Sequence, residues 1–263
     1  MSLFSFFFYN ERFVPSMRPD KPPKNGVSRW WRVLTHNFGS FWLAGTLALL
    51  GLLPWLLGLY FAIETHTLLF LLAVCVGGGL LAGPFFAALT DLVFRGLRDE
   101  WFSWRDAWSR ALKRNARESL MPGVLCCTLY GIQLFTLYHL EPGGEALNIL
   151  VLLMVSLLLV TALTLWLWPQ VVLFSMPLPM LLKNTALLAF SHLGRTLAAA
   201  AAGLAYMMAV LLLNPLSFLA LAALNICFPL SAAWYILYRP LERTFDLESS
   251  IRALHESQQQ TKD

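Results

Sequence analysis

Charged residues are scarce in this chain of 263 residues: Asp, Glu, Lys and Arg make up 13% of it, whereas 58% is hydrophobic. An average soluble domain is about 25% charged, so the composition argues against such a domain and favours a membrane protein. Charge is missing altogether from five long runs, at 38–63, 65–90, 119–140, 146–182 and 196–238. Each run is long enough to cross a bilayer, which takes roughly 20 apolar residues.

The last two runs are too long for one crossing each. Three prolines (Pro169, Pro177 and Pro179) confine one span to 147–172, and Asn214-Pro215 divides the last run, because Asn-Pro marks a turn. We therefore predict an all-α polytopic bundle with a membrane domain at 38–238, an N-terminal segment at 1–37 and a C-terminal tail helix at 239–263. The six predicted spans are 38–63, 66–90, 119–140, 147–172, 196–213 and 216–238.

Basic residues are absent from three of the connections between spans. Of the 19 Lys and Arg, six lie in 1–37, seven in 91–118, two in 183–195 and four after 238. Cytoplasmic loops carry the excess of Lys and Arg, so both termini and the two longer loops are predicted to be cytoplasmic. The first residues lack the basic region and cleavage site of a signal peptide.

Catalytic motifs are absent as well: the sequence has no GxSxG, HExxH, GxxxxGK[ST] or GxGxxG. The four cysteines show neither disulfide nor metal spacing. We predict no enzyme activity, no catalytic residue, no cofactor and no metal. One alternative stays open, in which residues of the outer connections converge on a metal ion; these residues are Glu64, His66, His139, Glu141 and Glu145.

The predicted spans contain no Asp, Glu, Lys or Arg, which argues against a proton-coupled carrier, because such carriers place ionisable groups at mid-membrane. The polar exceptions are Gln133, Gln170 and Asn225, for which we predict hydrogen bonds between helices. A role for them in a substrate path is the alternative.

Small residues are predicted to mark a helix contact in "GGGLLAGP". Gly79 and Gly83 are four residues apart and share one helix face, where small side chains let two backbones approach closely. Pro84 follows at once and is predicted to contribute to the same packing.

The segment "EWFSWRDAWSRALKRNARESL" at 100–120 concentrates tryptophan and basic residues. Apolar residues recur at spacings of three and four, which predicts an amphipathic helix lying in the membrane interface. The predicted interface residues are Trp101, Trp104, Asp106, Trp108 and Leu112. The predicted positive-inside anchors are Arg95, Arg98, Arg105, Arg110, Lys113, Arg114 and Arg117.

The surface that the tryptophans contact stays open at this stage: it is lipid, the protein's own bundle or a partner. Nucleic acid is excluded, because acidic residues dilute the basic charge and the tryptophans favour the nearby bilayer. A second segment, 178–197, has a similar form and predicts another in-plane helix between spans 4 and 5.

The sequence resembles the YesL-type bacterial membrane proteins, a family defined as a domain of unknown function. The resemblance covers most of the chain and is most specific at Gly83, Pro84, Ala87, Ala88, Leu89, Trp104, Asp106 and Trp108. Leu182, Lys183 and Asn184 also match, whereas Thr185 stands where the family usually has Ala. The resemblance implies a multi-pass protein of the bacterial cytoplasmic (inner) membrane.

Members of that family often accompany genes for carbohydrate import by ABC transporters. The resemblance therefore implies a non-enzymatic accessory protein whose partners are the bilayer and either sugar-transporter permease subunits or a second copy of the chain. The alternative is a small transporter or channel for a neutral solute such as a sugar or oligosaccharide.

Overall fold

The computed structural model describes residues 26–100, 102–140, 143, 146–212 and 225–245. These residues form helices, and no β-strand is present among them. The eight helices are α1 (Val27–His36), α2 (Phe38–Glu64), α3 (Leu68–Leu97), α4 (Trp104–Tyr138), α5 (Ala146–Leu173), α6 (Leu178–Ser191), α7 (Leu193–Leu212) and α8 (Cys227–Phe245).

Four helices, α2 to α5, are long and apolar enough to cross a membrane. Their outward faces carry large exposed hydrophobic side chains, such as Leu57 (52% exposed), Leu69 (80%) and Leu152 (69%). Soluble monomers rarely expose apolar surface on this scale. The fold is that of a helical membrane protein, as the composition predicts.

Within the described residues, the structure supports fewer spans than the six predicted. The first four predicted spans overlap α2 to α5, but α6 and α7 meet at 101° and count as one further span at most. Residues 213–224, which include most of the predicted turn and the start of the sixth span, lie outside the described residues. The helix α8 begins at Cys227 and continues past the predicted end of that span at 238, to Phe245.

A separate in-plane helix between spans 2 and 3 is also a wrong prediction. The amphipathic segment and the third span form one continuous helix, α4, of 35 residues. Such a helix is about 52 Å long at 1.5 Å per residue. Nothing breaks it where the charges end near Ser119, and Pro122 lies inside it. Ser103 precedes the first helical residue, and its side chain makes no capping hydrogen bond.

Helices α3 and α4 approach each other closely at a set of glycines. A Cβ atom added to Gly79 would lie 2.5 Å from the Cα of Val124, and one added to Gly83 would lie 2.4 Å from the backbone O of Ser119. Gly123 faces both, because its added Cβ would lie 2.4 Å from the O of Gly79. Pro84 lies inside α3 next to this crossing.

The polar side chains of the apolar helices bond across helix contacts. Gln133 donates to Ser156 Oγ at 2.7 Å between α4 and α5, and Gln170 donates to Thr185 Oγ1 at 2.9 Å between α5 and α6. Asn225, just before α8, donates to the backbone O of Trp42 in α2 at 2.8 Å. The prediction of interhelical hydrogen bonds is confirmed for Gln133 and Gln170, whereas Asn225 bonds to α2 from the turn before α8.

Candidate functional site

The C-terminus of α3 reverses sharply and brings its charged residues together. Asp99 adopts a left-handed conformation (φ 56°), which Asp tolerates better than most residues. Its N–H donates to the O of Gly96, and the N–H of Glu100 donates to the O of Arg95, each at 3.0 Å. These two bonds form a Schellman motif, which folds Glu100 back against the last turn of α3.

Two carboxylates and three guanidinium groups form a charge cluster at this point, defined as Asp91, Arg95, Arg98, Glu100 and Arg114. Asp91 Oδ2 accepts from Arg95 Nε at 2.7 Å, and its Oδ1 accepts from Arg114 Nη2 of α4 at 2.7 Å. Glu100 Oε2 accepts from Arg95 Nη1 at 3.4 Å, and its Oε1 accepts from Arg98 Nε. The cluster therefore joins α3 to the first half of α4.

Four of the five residues of the charge cluster are buried, and Arg114 is half-buried. The exposed fraction is 1% for Asp91, 3% for Glu100, 6% for Arg95 and 8% for Arg98. Removing such charges from water costs several kcal/mol per ion unless each is paired. Pairing explains how a helix as apolar as α3 ends in a buried run of charged residues.

The charge cluster carries a net charge of about +1, since three guanidinium groups face two carboxylates. Burial disfavours the charged form of Arg98, but the adjacent carboxylate of Glu100 outweighs this effect and raises the pKa of Arg98 above its ordinary value. Arg98 is therefore held in its charged form.

Helices α1 and α8 attach to the same end of the bundle, which we call the charged end. Arg32 of α1 pairs with Asp99 at 3.4 Å. Arg29 of α1 donates to the O of Leu97 at 2.8 Å, and its guanidinium lies 5.6 Å from the ring centre of Tyr238 in α8. Four helices are thus held together at the charged end.

The tryptophan face of α4 packs against the bundle itself. Trp108 is buried (8% exposed), and its ring centre lies 6.3 Å from that of Phe85 in α3. Trp104 stacks on Trp108 at 6.4 Å and, like Leu112, is half-buried against the core. Asp106 is exposed, and Trp101 lies outside the described residues.

The seven predicted anchors divide into two groups. Arg95, Arg98 and Arg114 belong to the charge cluster rather than to a solvated loop. The other four are exposed on α4, and they are Arg105, Arg110, Lys113 and Arg117. The exposed four form a basic strip on the outside of the charged end.

All four carboxylate oxygens of the charge cluster already bond to a guanidinium group. Both carboxylates are also buried, and the guanidinium groups compensate their charge. The geometry is that of a structural clamp that presents the basic strip.

Sequence reasoning missed Asp91, Glu100 and Gly123. Asp91 and Arg95 are four residues apart, a spacing at which opposite charges meet on one helix face, so this pair was available as a signal. Nothing in the sequence pairs Asp91 with Arg114, 23 positions later, or Gly123 with Gly79.

No protein-family model matches the sequence, and neither a curated protein nor a solved structure is similar to it. The resemblance to the YesL-type family therefore stays a prediction.

Proposed function

We propose that this chain is a non-enzymatic accessory protein of the bacterial cytoplasmic membrane that binds a partner at its charged end. The observation that carries the proposal is the charge cluster, whose carboxylate oxygens are all bonded internally. A cluster of this kind holds α3 and α4 together and so fixes the surface around it. The basic strip on that surface is what a partner would contact.

In this proposal the charged end faces the cytoplasm and both termini lie on that side. The support is the distribution of Lys and Arg, of which seven lie in 91–118 and none in the connections that the topology places outside. Six spans, with the sixth passing through 216–238, are part of the same proposal.

The partner that we propose is a permease subunit of a carbohydrate ABC importer, or failing that a second copy of the chain. The choice of an importer subunit as the partner rests on the resemblance to the YesL-type family. The basic strip adds a physical criterion, since a complementary partner surface must be acidic.

Affinity purification from native membranes in a mild detergent tests the proposal. We expect the wild-type protein to recover importer components, and we expect Lys113→Glu with Arg117→Glu to lose them while the far-UV circular dichroism is unchanged. The matched control is Thr35→Glu with Thr65→Glu, which adds acidic charge at exposed positions outside the basic strip. Recovery of the wild-type chain alone would contradict the proposal.

A small transporter for a neutral solute is the second candidate. Polar side chains meet between α4 and α5, where Tyr130 bonds to Thr161 and Thr164, and Gln133 bonds to Ser156. Gln133 Oε1 is buried without a partner in the described part of the chain. This candidate, unlike the accessory role, expects the purified protein alone to carry a sugar into liposomes.

A further inference from the structure

Two histidines meet at the other end of the bundle, which we call the histidine end. His66 lies in the turn between α2 and α3, and His139 lies directly after the last residue of α4. They are 73 positions apart in the sequence, yet His66 Nδ1 and His139 Nε2 are 2.6 Å from each other. Of the five residues of the outer connections that could converge on a metal ion, these two meet, while Glu141 and Glu145 lie outside the described residues.

The backbone places His66 by a second Schellman motif. The N–H of His66 donates to the O of Ile63 at 3.2 Å, and the N–H of Thr67 donates to the O of Ala62 at 3.3 Å. His66 itself is left-handed, with φ at 51°. A non-glycine residue rarely adopts this conformation, and here it carries the imidazole to the end of α4.

A backbone carbonyl orients the second ring. His139 Nδ1 lies 2.8 Å from the O of Phe135. A carbonyl oxygen only accepts, so Nδ1 carries the proton and Nε2 presents a lone pair to His66. His66 Nδ1–H therefore donates to His139 Nε2, and a single proton lies between the two nitrogens.

We propose that His66 and His139 bind one divalent transition-metal ion, such as Zn²⁺, Cu²⁺ or Ni²⁺, in place of that shared proton. Imidazole suits these metals, and a ligating histidine commonly donates its other N–H to a backbone carbonyl, as His139 does. On binding, the proton of His66 moves from Nδ1 to Nε2, which frees the Nδ1 lone pair. Metal–nitrogen bonds form at both rings and no net charge leaves the protein.

The distances permit this exchange. Zn–N bonds of about 2.0–2.1 Å at a tetrahedral angle place two ligand nitrogens about 3.3 Å apart. The two rings must separate by roughly 0.7 Å from their present 2.6 Å, and His66 lies on an exposed turn that allows it. Within the described residues no three His, Cys, Asp or Glu side chains converge, so water fills the remaining positions there.

Calorimetric titration of the full chain in detergent with Zn²⁺, using a purification tag without histidine, tests the site. We expect one ion per chain, and at least about tenfold weaker binding for His66→Gln and for His139→Gln. His36→Gln, which removes an exposed histidine from α1 near the charged end, should bind like the wild type.

Electron paramagnetic resonance of the Cu²⁺ form gives a second readout that needs no variant. We expect hyperfine splitting from two equivalent imidazole nitrogens in the wild type. Zn²⁺ binding by the wild type that is no tighter than binding by His66→Gln and His139→Gln, or a copper spectrum without nitrogen splitting, would overturn the proposal. The proposal does not depend on the partner at the charged end.

Discussion

Replacing Asp91 with Asn is expected to lower the free energy of unfolding by about 3–5 kcal/mol. Asn keeps the shape of the side chain but removes the charge that faces Arg95 and Arg114. Breaking a buried ion pair from one side leaves the other charges uncompensated, which is what makes the loss large. The free energy is measured by unfolding the protein in detergent and monitoring the loss of helix by circular dichroism.

Asp106→Asn is the matched control for this substitution, because Asp106 is an exposed acidic residue in the first turn of α4. Its effect should stay within about 0.5 kcal/mol. The double variant Asp91→Asn with Arg114→Gln should cost less than the sum of the two single variants, since the two residues interact. Equal effects of Asp91→Asn and Asp106→Asn would mean that the charge cluster does not stabilise the fold.

Gly123→Ala is expected to destabilise the protein by about 3 kcal/mol, and Gly123→Val is expected to prevent correct folding. The added Cβ would lie 2.4 Å from the O of Gly79 and 2.7 Å from the Cα of Gly83. Both are backbone atoms, so no side chain can rotate away, and α3 and α4 must separate. Thermal unfolding in detergent measures the loss of stability of Gly123→Ala. The yield of monodisperse protein measures the folding defect of Gly123→Val.

Gly77→Ala is expected to stabilise the protein, in contrast to Gly123→Ala, and serves as the control. Gly77 lies in α3, two residues before Gly79, but a Cβ there would meet no atom within 4 Å. Alanine in a helix interior is favoured over glycine by about 0.5–1 kcal/mol. A loss at Gly77 equal to that at Gly123 would show that the close approach of α3 and α4 is not the cause.

The apolar helices could be predicted from the sequence because length and composition are enough to identify them. The uncharged run that begins at Phe38 becomes α2, and the one that begins near Ala146 becomes α5. Most side chains of such a run face lipid or other apolar residues, so their neighbours need not be known. The helix contact at Gly79 and Gly83 could also be predicted locally, because their spacing of four residues puts both on one helix face.

The positions of charged residues are harder to predict, because the free-energy cost of burying a charge depends on partners far away in the sequence. The predicted second span ends at Thr90, just before Asp91, whereas α3 continues to Leu97. Pairing with Arg95 and Arg114 lets Asp91 be buried there. A rule that ends a span at its first charge cannot anticipate that compensation.

The first half of α4 shows the same limit. The spacing of Trp104 and Trp108 predicts a helix correctly, but it also suits a helix lying in the membrane plane. What decides between the two is the contact of Arg114 with Asp91 and of Trp108 with Phe85. Both contacts are tertiary, and so the local pattern leaves the question open.

The central claim is that the basic segment is the first half of an unbroken helix, α4, held against α3. Spin labels at Arg105→Cys and Leu134→Cys, both exposed, measure it most directly after the four buried cysteines are replaced by alanine. An unbroken helix places the two labelled backbone positions about 44 Å apart at 1.5 Å per residue. A helix that lay in the membrane plane and turned by 90° near Ser119 would place them about 31 Å apart, and that result would contradict the claim.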